Sequence, residues 1–376
     1  MDISRRIIRE FRDKNKALKL AEKIRNLAKK LNDEIKIMHV CGTHEHTVTY
    51  YGIRSLLPEN VKLIAGPGCP VCITPAKEVD EVILLAKKGY RIFTYGDMYK
   101  VPGTRESLAI AKAKGADIVI VYGFYDALRL SKDGKKSVFF AIGFETTAPT
   151  VAPHIVNRTI PKNLYLYVSY RLTVPAVDWM LSKGMHNLQG IIAPGHVSAI
   201  VGSEAWRFIP EKYDIPAVVA GFEPLDVLFG VYYILEMNLN GKPGLVNEYS
   251  RVVRPEGNVK AKEYMSKAFD IVDGLWRGIG IIPKSRLVLK DEYSDYDIKK
   301  REDIEVKDSI DIRPGCLCGA INLGMAEPTD CPYFGKSCTP EHPIGPCMVS
   351  IEGTCFIWYK FGGYRIIEEM KRIVEG

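Results

Sequence analysis

Apolar side chains recur at Ile7, Phe11, Leu18, Ala21, Ile24, Ala28 and Leu31, with Lys, Arg and Asp between them. This spacing predicts an amphipathic helix over residues 4–31. The pattern then changes to short apolar runs that end in glycine or polar turns. They are Ile35–Val40, Lys62–Ala65, Arg91–Tyr95, Asp117–Tyr122, Val138–Ile142, Leu164–Val168, Gly190–Ala193 and Ala217–Ala220. Each is strand-length, rich in β-branched or aromatic residues, and followed by a segment able to form a helix. Near-continuous apolar strands alternating with helices mean an α/β fold whose parallel sheets are covered on both faces.

Eight strands could make one large sheet or two of about four; two α/β lobes fit the usual domain size, with the glycine turn at Gly143 as the expected boundary. That places a first lobe at 36–142 and a second at 143–234. Beyond about residue 235 the rhythm fades. The charged stretch from Lys290 to Asp311 reads as loop, residues 313–355 are rich in Cys, Pro and Gly, and a terminal helix is expected around Tyr359 to Val374. Residues 1–35 and 235–376 are therefore grouped as a third unit.

Composition narrows the class. With 47% apolar and 26% charged residues the chain has material for a sizeable core. No run approaches the roughly 18–20 apolar residues of a membrane span, and the charged N-terminus lacks a signal-peptide pattern. The expected location is the cytosol. The net charge of +7 is spread along the chain rather than gathered into a basic stripe, so neither nucleic acid nor a membrane is an expected partner.

The cysteines change the picture most. Nine occur, in three groups: Cys41-Gly-Thr-His44-Glu-His46, Gly66-Pro-Gly-Cys69-Pro-Val-Cys72, and six between Cys316 and Cys355. Cysteines used as small core residues would scatter; these sit in Gly/Pro-rich turns. In a reducing compartment such groups point to metal sites or catalytic disulfides. Cys69 and Cys72 are spaced for a disulfide or for half of a metal site, ahead of a helix near Pro75 that favours thiolate. Cys41 lies beside His39, His44 and His46, a candidate Cys/His metal set, and its soft sulfur suits iron. Gly143-Phe-Glu145-Thr146-Thr147 follows a strand and could cradle a polar or anionic ligand, or Thr146 could cap a helix. The last group, Cys316, Cys318, Cys331, Cys338, Cys347 and Cys355, offers several choices of four thiolates for an iron–sulfur cube or a zinc ion. The motifs fall at the carboxyl ends of strands, where open α/β sheets collect their ligands, which suggests one shared cleft.

Taken together, the Cys41 motif, the Gly66–Cys72 motif, Gly143-Phe-Glu-Thr-Thr-Ala-Pro149 and the late cysteines resemble the HypD family of NiFe-hydrogenase maturation proteins, over nearly the whole chain. The resemblance implies two Rossmann-like lobes facing a cleft plus a Cys-rich iron–sulfur domain. It implies a scaffold on which iron acquires cyanide and carbon monoxide, with a small HypC-type chaperone and a HypE-type cyanide donor as partners and the hydrogenase large subunit as the destination. On that pattern Cys41 ligates the transient iron, and Cys69 and Cys72 form a redox pair; from their place in the same motifs, His44 or Glu145 is expected to assist Cys41 by hydrogen bonds. Cys318, Cys331, Cys338 and Cys355 hold a [4Fe–4S] cluster, leaving Cys316 and Cys347 spare. The competing readings are an iron–sulfur thiol/disulfide reductase and a non-redox zinc platform for protein interactions.

Overall fold

A computed structural model describes residues 8–31, 33–184 and 187–363. Its elements begin with α1 (Lys14–Ala28), β1 (Ile35–His39), α2 (Gly42–Tyr50), β2 (Val61–Ala65) and α3 (Ala76–Lys87). Next come β3 (Arg91–Thr94), β4 (Ile118–Ile120), β5 (Ser137–Gly143), β6 (Leu164–Tyr170) and α4 (Thr173–Ser182). They continue with β7 (Gly190–Pro194), β8 (Ala217–Ala220), α5 (Pro224–Leu239), β9 (Leu245–Asn247), β10 (Phe269–Trp276), β11 (Gly280–Leu289) and α6 (Thr354–Phe361). Every run expected to be a strand is one. In β5, β6, β7 and β8 every residue is buried, as strands of parallel sheets covered on both faces should be.

Two parallel sheets result. One runs β2-β1-β7-β8-β9 and the other β4-β3-β5-β6. The boundary expected at Gly143 is therefore wrong. β5 and β6 pair in parallel through to Gly143 opposite Tyr170, so a division there would split two hydrogen-bonded neighbours. The chain instead leaves the first sheet after β2, completes the second, and returns at β7, which pairs with β1. The first lobe is thus discontinuous in sequence.

The N-terminal helix also belongs elsewhere than expected. Leu20, Ile24 and Ala28 of α1 bury against Val227, Val231 and Ile234 of α5 and the first sheet, so α1 is part of that lobe. It begins at Lys14 because Asp13 caps it, accepting from the Lys16 amide. Residues 4–7 of the expected N-terminal helix and residues 364–374 of the expected terminal helix lie outside the described residues. The short helix α6 spans Thr354–Phe361, overlapping only the start of the expected terminal helix, and carries Cys355 in its first turn.

β10 and β11, an antiparallel hairpin, stand where the strand rhythm faded. β10 is mostly exposed, so it lacks the continuous apolar run that marked the other strands. Among the described residues no helix is long and apolar enough to cross a membrane.

Candidate functional site

Cys41 ends the extended segment after β1 and is the residue before α2, with φ −154° and ψ 133°. The Gly66–Cys72 turn lies directly on it. The Gly66 amide donates to the His39 carbonyl at 2.8 Å, and the Gly42 amide donates to the Gly68 carbonyl at 3.2 Å. The two motifs, which follow adjacent strands, thus form one interlocked pair of turns. A third segment closes the other side: a Cβ on Gly42 would fall 2.4 Å from the Glu352 carbonyl oxygen. Cys41 is half-buried. Burial and the nearby Glu352 carboxylate push its thiol up to about 11, against the pull of the His44 and Thr43 amides and the Thr43 hydroxyl. Burial, then Asp97, pushes the Glu352 carboxyl up to about 7, while a hydrogen bond from Thr43 opposes the rise. Thr43 and Glu352 are therefore the polar neighbours of Cys41, and no spacing pattern in the sequence marked either.

Cys69 and Cys72 are joined as a disulfide. Both are buried, and the Cys72 amide donates to the Cys69 sulfur at 3.1 Å. The residues between them, Pro70 and Val71, help line a cleft of about 550 Å³ with Gly143, Thr146, Thr147, Asp97 and Glu352. The threonines of the Gly143 loop therefore face the same space as the disulfide loop and the Glu352 segment.

Glu145 does not share that space. Its carboxylate accepts from the Thr173 amide at 2.7 Å, the Thr173 hydroxyl at 2.9 Å and the Val174 amide at 3.4 Å. It caps α4, where a negative charge meets the positive end of the helix dipole. The histidines also disperse. His39 pairs with Glu45 at 2.8 Å, and His46 stacks on Tyr50. His44 donates from Nε2 to the Gly221 carbonyl at 2.8 Å. Burial, then His39, pushes His44 down to about 3, so it is neutral, with Nδ1 unpartnered among the described residues. The Cys/His set expected around Cys41 is not assembled. Glu45 is instead a buried hub that also accepts from Arg54 and from Trp358 Nε1 at 2.7 Å, fastening α2 to α6.

The six late cysteines converge. Cys316 and Cys318, Cys318 and Cys347, and Cys347 and Cys355 are within hydrogen-bonding reach of one another. Cys338 stands nearby, accepting from the Ile344 amide at 3.3 Å and feeling the charges of Cys316 and Cys331. Gly345 makes room for this: a Cβ there would lie 2.4 Å from the Cys318 sulfur and 3.0 Å from that of Cys316. Cys318, Cys331, Cys338, Cys347 and Cys355 share one buried core with Cys69 and Cys72. Cys316 and Cys347, expected to be spare, lie among the others. Among the described residues no three or more His, Cys, Asp or Glu side chains stand at metal-ligand spacing. The donor set is nevertheless the right chemistry for a thiophilic metal or an iron–sulfur group: several sulfurs, little competing oxygen, and a dry surround.

Comparison with known proteins identifies the family. The family model HypD, described as "Hydrogenase formation hypA family", matches residues 15–362. A hydrogenase expression/formation protein of Methanocaldococcus jannaschii is 46% identical over 349 residues, 91% of this chain and 96% of that protein. Hydrogenase maturation factor HypD2 of Bradyrhizobium diazoefficiens is 42% identical over 370 residues, covering 95% and 97%. Hydrogenase maturation factor HypD of Azotobacter vinelandii is 39% identical over 368 residues, with 95% and 97% covered.

Proposed function

This chain belongs to the HypD family of hydrogenase maturation factors, and from that premise we propose that it is the scaffold on which iron acquires cyanide and carbon monoxide before entering NiFe hydrogenase. The iron is cargo. Cys41 holds it as thiolate, with a HypC-type chaperone as co-ligand donor and a HypE-type protein as cyanide source. One observation carries the reading: Cys41, the turn that leads into Cys69, and Glu352 meet at one point beside a shared cleft.

Each residue then has a definite task. Cys41 must lose its proton to bind iron, and burial opposes that loss. The Thr43 and His44 amides offset part of the opposition. Soft sulfur supplies the electron-rich ligand that iron carrying cyanide and carbon monoxide requires. The Cys69–Cys72 disulfide takes two electrons and two protons to become two thiols, so it is a two-electron redox partner next to the iron position. Thr146 and Thr147 line the cleft and offer hydroxyls to a polar ligand. Glu145 acts at one remove, by holding the end of α4.

Cys318, Cys331, Cys338 and Cys355 would hold a resident [4Fe–4S] cluster, with Cys316 and Cys347 beside them. Bound there, such a cluster would exchange single electrons. A thiol/disulfide reductase would use the same cysteines but needs no ligand-bearing iron on Cys41. The test is infrared spectroscopy of the chain purified without oxygen together with its small chaperone. Cyanide and carbon monoxide bands are expected in the native complex and absent from Cys41→Ser. Unchanged bands in that variant would remove Cys41 from the mechanism.

A further inference from the structure

We infer that Arg277 is the charge partner of the C-terminal cysteine centre, its buried guanidinium balancing the negative charge of the thiolates and so setting the reduction potential of the metal–sulfur group they hold. The inference rests on the proposed reading of these cysteines as a metal–sulfur site.

Arg277 occupies the turn of the β10–β11 hairpin, and the fold pins that turn between the two groups of cysteines. Its amide donates to the Ile73 carbonyl at 2.8 Å, one residue past Cys72. On the other side the turn rests on the helix that Cys318 begins, where a Cβ on Gly319 would fall 2.1 Å from the Gly278 carbonyl oxygen. The side chain is only 3% exposed. Its Nε donates to the Asp311 backbone carbonyl at 2.8 Å. The Asp311 carboxylate is itself engaged by the Ala76 and Gly278 amides, both at 2.8 Å. Nη1 is buried and finds no hydrogen-bond partner among the described residues.

An ion taken from water into such a site carries a heavy desolvation penalty unless it is compensated. The contrast within the chain is Arg171, equally buried, which reaches the Glu78 carboxylate at 2.9 Å. For Arg277, besides Asp311, the electrostatic neighbours are the sulfurs of Cys318, Cys316 and Cys347. Four thiolates on an iron–sulfur cube carry the complementary charge. A fixed positive group beside such a centre stabilises the more negative, reduced state, and net charge and hydrogen bonding to sulfur are known levers on its potential. Arg313 lines the same cavity of about 460 Å³ as Arg277 but is exposed, where solvent screens its charge.

The experiment uses the full chain, reconstituted with iron and sulfide without oxygen and titrated by spectroelectrochemistry. Arg277→Gln should weaken reduction about tenfold, a fall of ~59 mV for one electron, at unchanged iron content. Arg277→Lys, which keeps the charge, should stay near the native midpoint, and so should Arg313→Gln. Asp311→Asn removes a negative charge beside Arg277 and should raise the midpoint, which supplies the reading if Arg277→Gln does not fold. A native midpoint in Arg277→Gln, an equal fall in Arg277→Lys, or no rise in Asp311→Asn overturns the inference. A native chain that takes up no iron and sulfide overturns the metal–sulfur reading itself, and Arg277's role with it.

Discussion

The Cα of Gly68 lies against the backbone of Cys41: a Cβ added there would fall 2.3 Å from the Cys41 Cα and 2.4 Å from its amide nitrogen. The glycine is needed for close approach, because both contacts are backbone and cannot swing aside. Through it the turn that leads into Cys69 and the turn that holds Cys41 are registered to within an atom's width.

Gly68→Ala should therefore separate Cys41 from the Cys69 loop. Forcing a methyl group into packed backbone typically costs about 1–3 kcal/mol. The expected outcome is a lower melting temperature and loss of the infrared cyanide and carbon monoxide bands, with the iron content of the C-terminal cysteines kept. Native bands in this variant would show that the contact is dispensable.

Much of the fold was legible because buried parallel strands are apolar on both faces, as in Val138–Ile142 and Gly190–Ala193. Their order was not. Which strands pair depends on where crossovers return, and nothing local to Gly143 says that β5 pairs with β6 while β7 pairs back to β1. The same limit applies to side chains. The sequence marks Glu145 as a polar residue in a ligand-type loop, but its direction is set by α4, whose first residue lies 28 positions later. Thr43 and Glu352 become neighbours only through tertiary packing, as does Arg277, which belongs to none of the cysteine motifs.

The proposed ligand assignment divides the late cysteines by role. If Cys318, Cys331, Cys338 and Cys355 are the ligands, Cys331→Ala should lose the four irons and loosen the segment around it, since metal binding and folding are linked. Cys316→Ala should keep them. Cys347, fully buried between Cys318 and Cys355, should tolerate Ala with native iron content and a small loss of stability. Iron and sulfide assays on the three variants decide the assignment, and full iron in Cys331→Ala would sink it.

A second buried network contributes to the acid limit of the fold. Burial alone would raise the Glu78 carboxyl, but Arg171, Arg286, Lys299 and the Ser169 hydroxyl hold it down at about 2. A carboxyl held lower when folded contributes stability that is fully present above its ordinary value of about 4.5. That contribution is lost as pH falls toward 2. Melting temperature should thus drop steeply between those values. Glu78→Gln should flatten this limb while destabilising the neutral protein by about 3–5 kcal/mol, because Arg171 is left buried without its partner. An acid limb as steep as the native one would point to other carboxylates.

The Cys69–Cys72 disulfide is the remaining test of the redox reading. Its sulfurs are buried, at 3% and 0% residue exposure, within a core that also holds five of the late cysteines. Thiol–disulfide exchange requires in-line access to sulfur, so a bulky reductant should attack the native bond far more slowly than the same bond in urea. If the pair nevertheless cycles during maturation, an oxidative titration read by alkylation and mass spectrometry should show both thiols lost together. Cys69→Ala should then abolish hydrogenase maturation while leaving the melting temperature close to native. A pair that stays fully alkylatable under mild oxidation, with maturation surviving Cys69→Ala, would leave this disulfide a structural brace for the turn that holds Gly68 against Cys41.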